Sequence, residues 1–150
     1  DAVSLREDIM RDTKEAMKAR DKPRVAALRM LTAALKNAEI EKGALLAEDE
    51  EEAVLRRQLK QREESAEAFR KASREEQARA EEAEAGIVRH YLPAPLSDEE
   101  LERIADEAIA EMGATSMKDM GPVMGRVMAL AGNRADGRKL SNLVRERLQG

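Results

Sequence analysis

Cysteine and tryptophan are absent from the chain, and histidine, tyrosine and phenylalanine occur once each. Without cysteine there is no disulfide framework, no thiol nucleophile and no cysteine-ligated zinc or iron–sulfur site. One histidine cannot build a multi-histidine metal site. Aromatics at 1% of the chain argue against a β-sandwich or barrel, whose strands are enriched in aromatic and β-branched residues. Long apolar runs are also missing. The longest, such as Val127–Ala131 or Ala44–Ala47, are far short of the ~20 residues that cross a bilayer. The opening DAVSLREDIM has no signal-peptide apolar region, so the expected setting is the cytoplasm.

What remains is charge and helix formers. Lys, Arg, Asp and Glu make up 39% of 150 residues, 27 cations against 31 acids, and Ala, Leu, Glu, Arg and Lys dominate. Apolar residues recur at helical spacing almost throughout, which argues against disorder. The length fits one domain or two small ones.

The spacing predicts seven helices, four and then three. The first opens at Ser4, with Glu7 three residues on as a capping box, buries Leu5, Ile9, Ala16 and Met17, and ends near Arg20–Asp21. Asp21 or Lys22 caps the second, with Pro23 in its first turn; Val25, Leu28, Leu31, Thr32 and Leu35 form its stripe, and Gly43 stops it. The acidic run Glu48–Glu52 opens a third, at the positive end of the helix dipole. Its stripe is Leu55, Leu59, Arg62, Ala66 and Phe69. The pattern resets near Ser73, and a fourth helix carries Ala80, Glu84, Ile87, Val88 and Tyr91.

Pro93 and Pro95 make a stiff break. The expected organisation is an N-terminal helical domain over 1–92, a linker over 93–96, and a three-helix domain over 97–150. Ser97 and Glu100 form a capping box for a helix with Leu101, Ile104, Ala105 and Ile109, closed by Met112-Gly113. Ser116 is expected to cap the sixth helix, with Met120, Val123, Met124, Val127, Met128 and Leu130 inward. Asp136-Gly137 opens the seventh, with Leu140, Leu143, Val144 and Leu148.

Few residues suggest chemistry. His90 lacks any Cys or second His, and reads as a helix-end residue rather than a general base. The run 48–52 lacks the turn glycine and alternating ligands of a calcium loop, so no metal or other cofactor is expected. Gly121 and Gly125 form a GxxxG without the apolar host of a membrane span, which predicts close helix–helix approach in a soluble bundle. Gly132–Gly137 lacks the spacing and the Lys-Ser/Thr pair of a phosphate loop.

Charge is more telling. Residues 97–112 hold one cation and seven acids, whereas 113–150 hold seven cations and three acids. Arg145 and Arg147 suit a helix C-terminus, but Arg134, Arg138 and Lys139 lie before or at the start of the last helix, where the dipole disfavours them. That misplacement points to an external anionic partner. The candidate nucleic-acid contacts are Lys118, Arg126, Arg134, Arg138, Lys139 and Arg145.

Four blocks resemble the GatB/YqeY family, in particular its stand-alone YqeY-like proteins. They are LRMLTAALKNAEIEK from Leu28, LKQREESAEAFRKASREE from Leu59, EEAEAGIVRHYLPAPLSDEEL from Glu81, and TSMKDMGPVMGRVM followed by GNRADGRKLSNLVRERL. Asn133 stands where the family runs Gly-Arg-Ala-Asp-Gly without interruption. The resemblance implies an all-helical protein whose C-terminal part is similar to the tail of the B subunit of the glutamine-dependent tRNA amidotransferase. In that enzyme the tail contacts tRNA while the chemistry occurs in a separate cradle domain, for which this chain has no matching residues. The implied function is a non-catalytic module binding tRNA or a tRNA-handling enzyme, with no activity of its own. An accessory subunit of a carbon–nitrogen ligase using glutamine as amide donor, or a protein-interaction scaffold, are the alternatives.

One expectation is independent of the family. Arg62 and Glu84 each interrupt an apolar stripe and lie equally far from the turn at Ser73, ~16 Å along antiparallel helices. They are predicted to form a partly buried ion pair.

Overall fold

A computed structural model describes residues 4–150, the side chain of Asn133 excepted. Among these residues the chain is all helical: α1 (Leu5–Lys18), α2 (Lys22–Lys42), α3 (Glu48–Lys71), α4 (Glu75–Arg89), α5 (Asp98–Met112), α6 (Met120–Ala131) and α7 (Gly137–Gln149), with 3-10 turns at Met117–Asp119 and Gly132–Arg134. The chain divides into two compact units, Asp1–Leu92 and Pro93–Gly150.

In the first unit, Ser4 caps α1 by accepting from the Glu7 amide; the reciprocal half of the box is not made. Asp21 caps α2 with Pro23 in the first turn, and Gly43 ends it at φ 76°, a left-handed position that suits glycine. Ile9, Leu28, Leu31, Leu35, Val54, Leu55 and Val88 form the core, with Leu59, Tyr91 and Leu92 against it. Two polar groups join the interior. Asp12 receives the Tyr91 hydroxyl at 2.6 Å. Glu51 accepts from the Arg6 amide at 3.3 Å.

Helices α3 and α4 pack together through a turn in which Ser73 is left-handed, φ 60°. Arg62 Nη1 lies 3.3 Å from Glu84, so the expected pair is present, and Glu81 joins it at 3.5 Å. The α4 stripe itself differs from expectation. Ala80 faces solvent, and the buried residues are Ala78, Ala85 and Val88. α4 is mostly Ala and Glu, and residues this alike give little contrast between faces. On α3, Val54 and Glu51 are buried above Leu55, one turn earlier than the stripe read from Leu55.

In the second unit, Leu101, Ala105 and Ala108 of α5, Val123, Val127 and Ala131 of α6, and Leu140, Val144 and Leu148 of α7 form one core. The Ser97–Glu100 capping box is complete, and Gly113 ends α5 at φ 60°. Three expectations fail here. Ser116 heads the 3-10 turn rather than α6, and the Asp119 carboxylate accepts from the Thr115 and Ser116 amides. Met128 and Leu130 are about 40% exposed, so the inward face of α6 is narrower than the apolar sequence suggested. The GxxxG does not mediate close packing either: a Cβ at Gly121 or Gly125 would meet nothing within 4 Å.

Candidate nucleic-acid interface

The segment around α7 carries the cations singled out by sequence, and its geometry sorts them into three groups. α6 gives way to a 3-10 turn at Gly132, whose φ of 58° and ψ of −139° only glycine adopts without strain. Asp136 then caps α7, its carboxylate accepting from the Arg138 amide at 2.9 Å. The Met128 thioether lies over Gly137.

Arg134 is structural. Its Nε donates to the Ala94 carbonyl at 3.2 Å, and its own carbonyl accepts from the Leu96 amide at 2.9 Å. It laces the Pro93–Leu96 segment to the loop before α7, which is why a cation sits where the dipole disfavours it. Arg126 and Lys139 are neutralised. Arg126 makes a two-point contact with Glu111 at 2.8 and 3.3 Å. Lys139 meets Asp98 at 2.9 Å, and that hydrogen bond raises its pKa. Arg147, beyond the six, pairs with Asp106.

Lys118, Arg138 and Arg145 form the third group. All three are exposed, and none has a carboxylate within salt-bridge reach among the described residues. Lys118 lies on the 3-10 turn that packs against α6 and α7. Its acidic neighbour Asp119 is occupied with backbone amides, the Thr115 bond foremost, which hold its carboxyl below the usual range. Arg138 and Arg145 are seven residues apart on α7 and so share one face, ~10 Å along the axis. Asn142 and Gln149, also exposed, fall on the same face at i+4 and i+11, and Asn142 accepts from Arg145 Nη1 at 3.2 Å. Both amides were missed from sequence, where only charge was counted; helical spacing from Arg138 finds them.

The flank of α7 toward α5 has the opposite character. Asp98, Glu102 and Glu146 line a cleft of about 300 Å³ there, with Lys139 the one cation among its lining residues. Asn142, on the Arg138–Arg145 row, also lines that cleft. Among the described residues no three His, Cys, Asp or Glu side chains are grouped to hold a metal, and no helix is long and apolar enough to cross a membrane.

Residues 6–148 match the family described as Yqey-like protein, and the chain belongs to that family. It is 47% identical over 58 residues to a Glutamyl-tRNA(Gln) amidotransferase subunit of Thermococcus gammatolerans, a match spanning 36% of this chain and only 9% of that protein. It is 26% identical over 139 residues to the mitochondrial Altered inheritance of mitochondria protein 41 of Pyrenophora tritici-repentis, covering 90% of this chain and 76% of that one. The chain is thus related to a tRNA-dependent amidotransferase through a small part of that relative's length.

Proposed function

We propose that this member of the Yqey-like family is a non-catalytic module that binds tRNA, or the surface of a tRNA-handling enzyme that carries it, through residues 97–150, with 93–96 as the linker. The observation that carries the reading is the row Arg138, Asn142, Arg145 and Gln149 on α7. It combines exposed guanidinium groups that have no carboxylate partner with amide side chains at the same spacing. Arginine forks match phosphate geometry, and Asn and Gln add sugar or base-edge contacts. The relationship to an amidotransferase supplies the class of nucleic acid.

Gel shift or filter binding with unfractionated tRNA tests it. Binding should weaken as salt rises, through counterion release. Arg138→Ala with Arg145→Ala should weaken it and flatten the salt dependence by roughly 0.7–0.9 in log–log slope for each phosphate that is no longer neutralised. Lys139→Ala should matter far less, because Asp98 already holds that ammonium. Equal losses from Lys139→Ala and from the arginine pair, or no binding at low salt, would refute the assignment.

A further inference from the structure

A second set of cations without acidic partners lies in the first unit, where no sequence motif pointed. Between residues 14 and 36 the chain carries seven cations, Lys14, Lys18, Arg20, Lys22, Arg24, Arg29 and Lys36, against two carboxylates, Glu15 and Asp21. None of the seven makes a salt bridge among the described residues. The ion pairs of this unit involve cations before and after that stretch: Arg6, Arg11, Lys42, Lys60, Arg62, Arg70, Lys71, Arg79 and Arg89. Of the two carboxylates, Asp21 is spent on the Arg24 amide as the cap of α2.

Three of the seven, Arg20, Lys22 and Arg29, line an apolar groove at the elbow between α1 and α2. It encloses about 400 Å³ and is lined by Met17, Val25 and Ala26 with Arg20, Lys22 and Arg29. No acid lines it. Met17 is 51% exposed, its sulfur 3.9 Å from the Arg29 guanidinium. Met10, two turns earlier on the same face of α1, is 49% exposed and extends the apolar strip. Methionine is the side chain best suited to a surface that adapts to a partner. Arg20 itself holds a left-handed backbone at φ 58°. A glycine would relieve that turn, yet the chain places a cation there, on the groove's rim.

We propose that this elbow is a docking site for an acidic amphipathic segment of another protein, with apolar side chains seated against Met17, Val25 and Ala26 and Asp or Glu side chains meeting Arg20, Lys22 and Arg29. Charge complementarity selects the occupant: an apolar floor ringed only by cations favours an apolar strip flanked by acids. RNA fits less well. Single strands are held by stacking on rings, and the rings of this unit, Phe69, His90 and Tyr91, are not among the groove's lining residues.

The test uses a fluorescein-labelled synthetic helix of about four turns with Leu at i, i+4 and i+7 and Glu elsewhere, followed by anisotropy and by amide chemical shifts of the full chain. Saturable binding is expected, with shifts centred on residues 17–29. A peptide with Lys in place of every Glu should not bind. Arg20→Glu with Lys22→Glu should weaken binding about tenfold or more. Arg20→Gly should weaken it less while raising thermal stability, so its effect cannot be a folding failure. Arg138→Ala with Arg145→Ala should leave peptide binding unchanged, which separates this site from the α7 surface. The proposal is overturned by a Kd above about 1 mM, by equal binding of the Lys peptide, or by indifference to the Arg20 and Lys22 reversal. It is equally overturned if that reversal abolishes oligouridine binding or a concentration-dependent self-association while sparing the peptide.

Discussion

Removing the Arg62 guanidinium by Arg62→Met should be the most damaging single change on the α3–α4 seam. Arg62 serves two carboxylates, Glu84 at 3.3 Å and Glu81 at 3.5 Å, and all three side chains are largely covered, at 21%, 35% and 20% exposure. Breaking a fully buried pair costs ~3–5 kcal/mol, because the survivor is stranded. Here burial is incomplete but two like charges are stranded together, so about 2–4 kcal/mol is expected. Glu84→Gln is milder, about 1 kcal/mol, since Glu81 still faces the arginine. Glu82→Gln removes only an exposed partner of Arg70 and should leave the unfolding midpoint near its original value. The apolar triple change, Arg62→Met with Glu81→Leu and Glu84→Leu, should recover most of the loss. The native cluster is imperfectly satisfied to begin with, Arg62 Nε and Glu81 Oε2 being buried without a hydrogen-bond partner. Urea unfolding followed by Tyr91 emission reads the first unit alone, since the chain has one Tyr and no Trp. If Arg62→Met costs no more than Glu84→Gln, or the triple change recovers nothing, the cluster does not govern the packing of these helices.

Three further outcomes are expected. Tyr91→Phe should cost about 1–3 kcal/mol by leaving buried Asp12 without its 2.6 Å donor, and thermal melts by circular dichroism would measure it; in the unmutated chain, burial and then the Asp12 carboxylate hold the phenol above its ordinary range, so absorbance near 295 nm should show no tyrosinate at pH 10. Burial raises the Glu51 carboxyl above its ordinary 4.5, so between that value and the raised one the folded chain holds a proton that the unfolded chain releases, and stability falls as pH rises through this window. Glu51→Gln should therefore raise the urea midpoint at pH 7, with the gain vanishing below about pH 4; a loss at pH 7 would mean that the Arg6 amide bond outweighs desolvation. Arg134→Ala should loosen the 93–96 segment, seen as faster hydrogen exchange at the Leu96 amide, while Arg138→Ala leaves that amide protected.

The helical architecture was legible because its signals are strong and redundant. Gly43 and Gly113 sit at left-handed helix ends, Ser97 with Glu100 makes a complete box, and Asp21-Lys22-Pro23 forms the break between α1 and α2. Reading failed where the side chains are too alike or too apolar to mark a face. On α4, Ala80 and Ala78 differ only in position, and tertiary packing buries Ala78. On α6, Met120, Val123, Met124, Val127, Met128 and Leu130 cover most of the circumference, so periodicity does not say which of them α5 and α7 cover. Ion pairing between distant helices is the hardest to read. Arg62 with Glu84 was accessible because both break an apolar stripe at equal distance from a turn, whereas Lys139 with Asp98 and Arg126 with Glu111 break no pattern.

That difficulty bears on how charge is used to find binding surfaces. A net charge of −4 argues against a polyanion partner, and a segment sum of seven cations to three acids over 113–150 argues for one. Neither sum decides, because a cation held by a carboxylate offers an approaching phosphate little net field. Over 113–150, pairing with α5 removes Arg126, Lys139 and Arg147, and a backbone carbonyl occupies Arg134. Lys118, Arg138 and Arg145 remain, and two of the three fall on one helix face. Over 1–42 the sum of ten cations and eight acids looks unremarkable, yet its acids gather at the ends and its cations between 14 and 36. Asp8, Asp12 and Glu39 pair with Arg11 and Arg6 and Asp21 caps α2, and of the seven cations left without acidic partners three, Arg20, Lys22 and Arg29, line one groove. Cations that fold-internal carboxylates leave unmatched are the ones available to an external anion, so the two surfaces should respond independently to charge reversal.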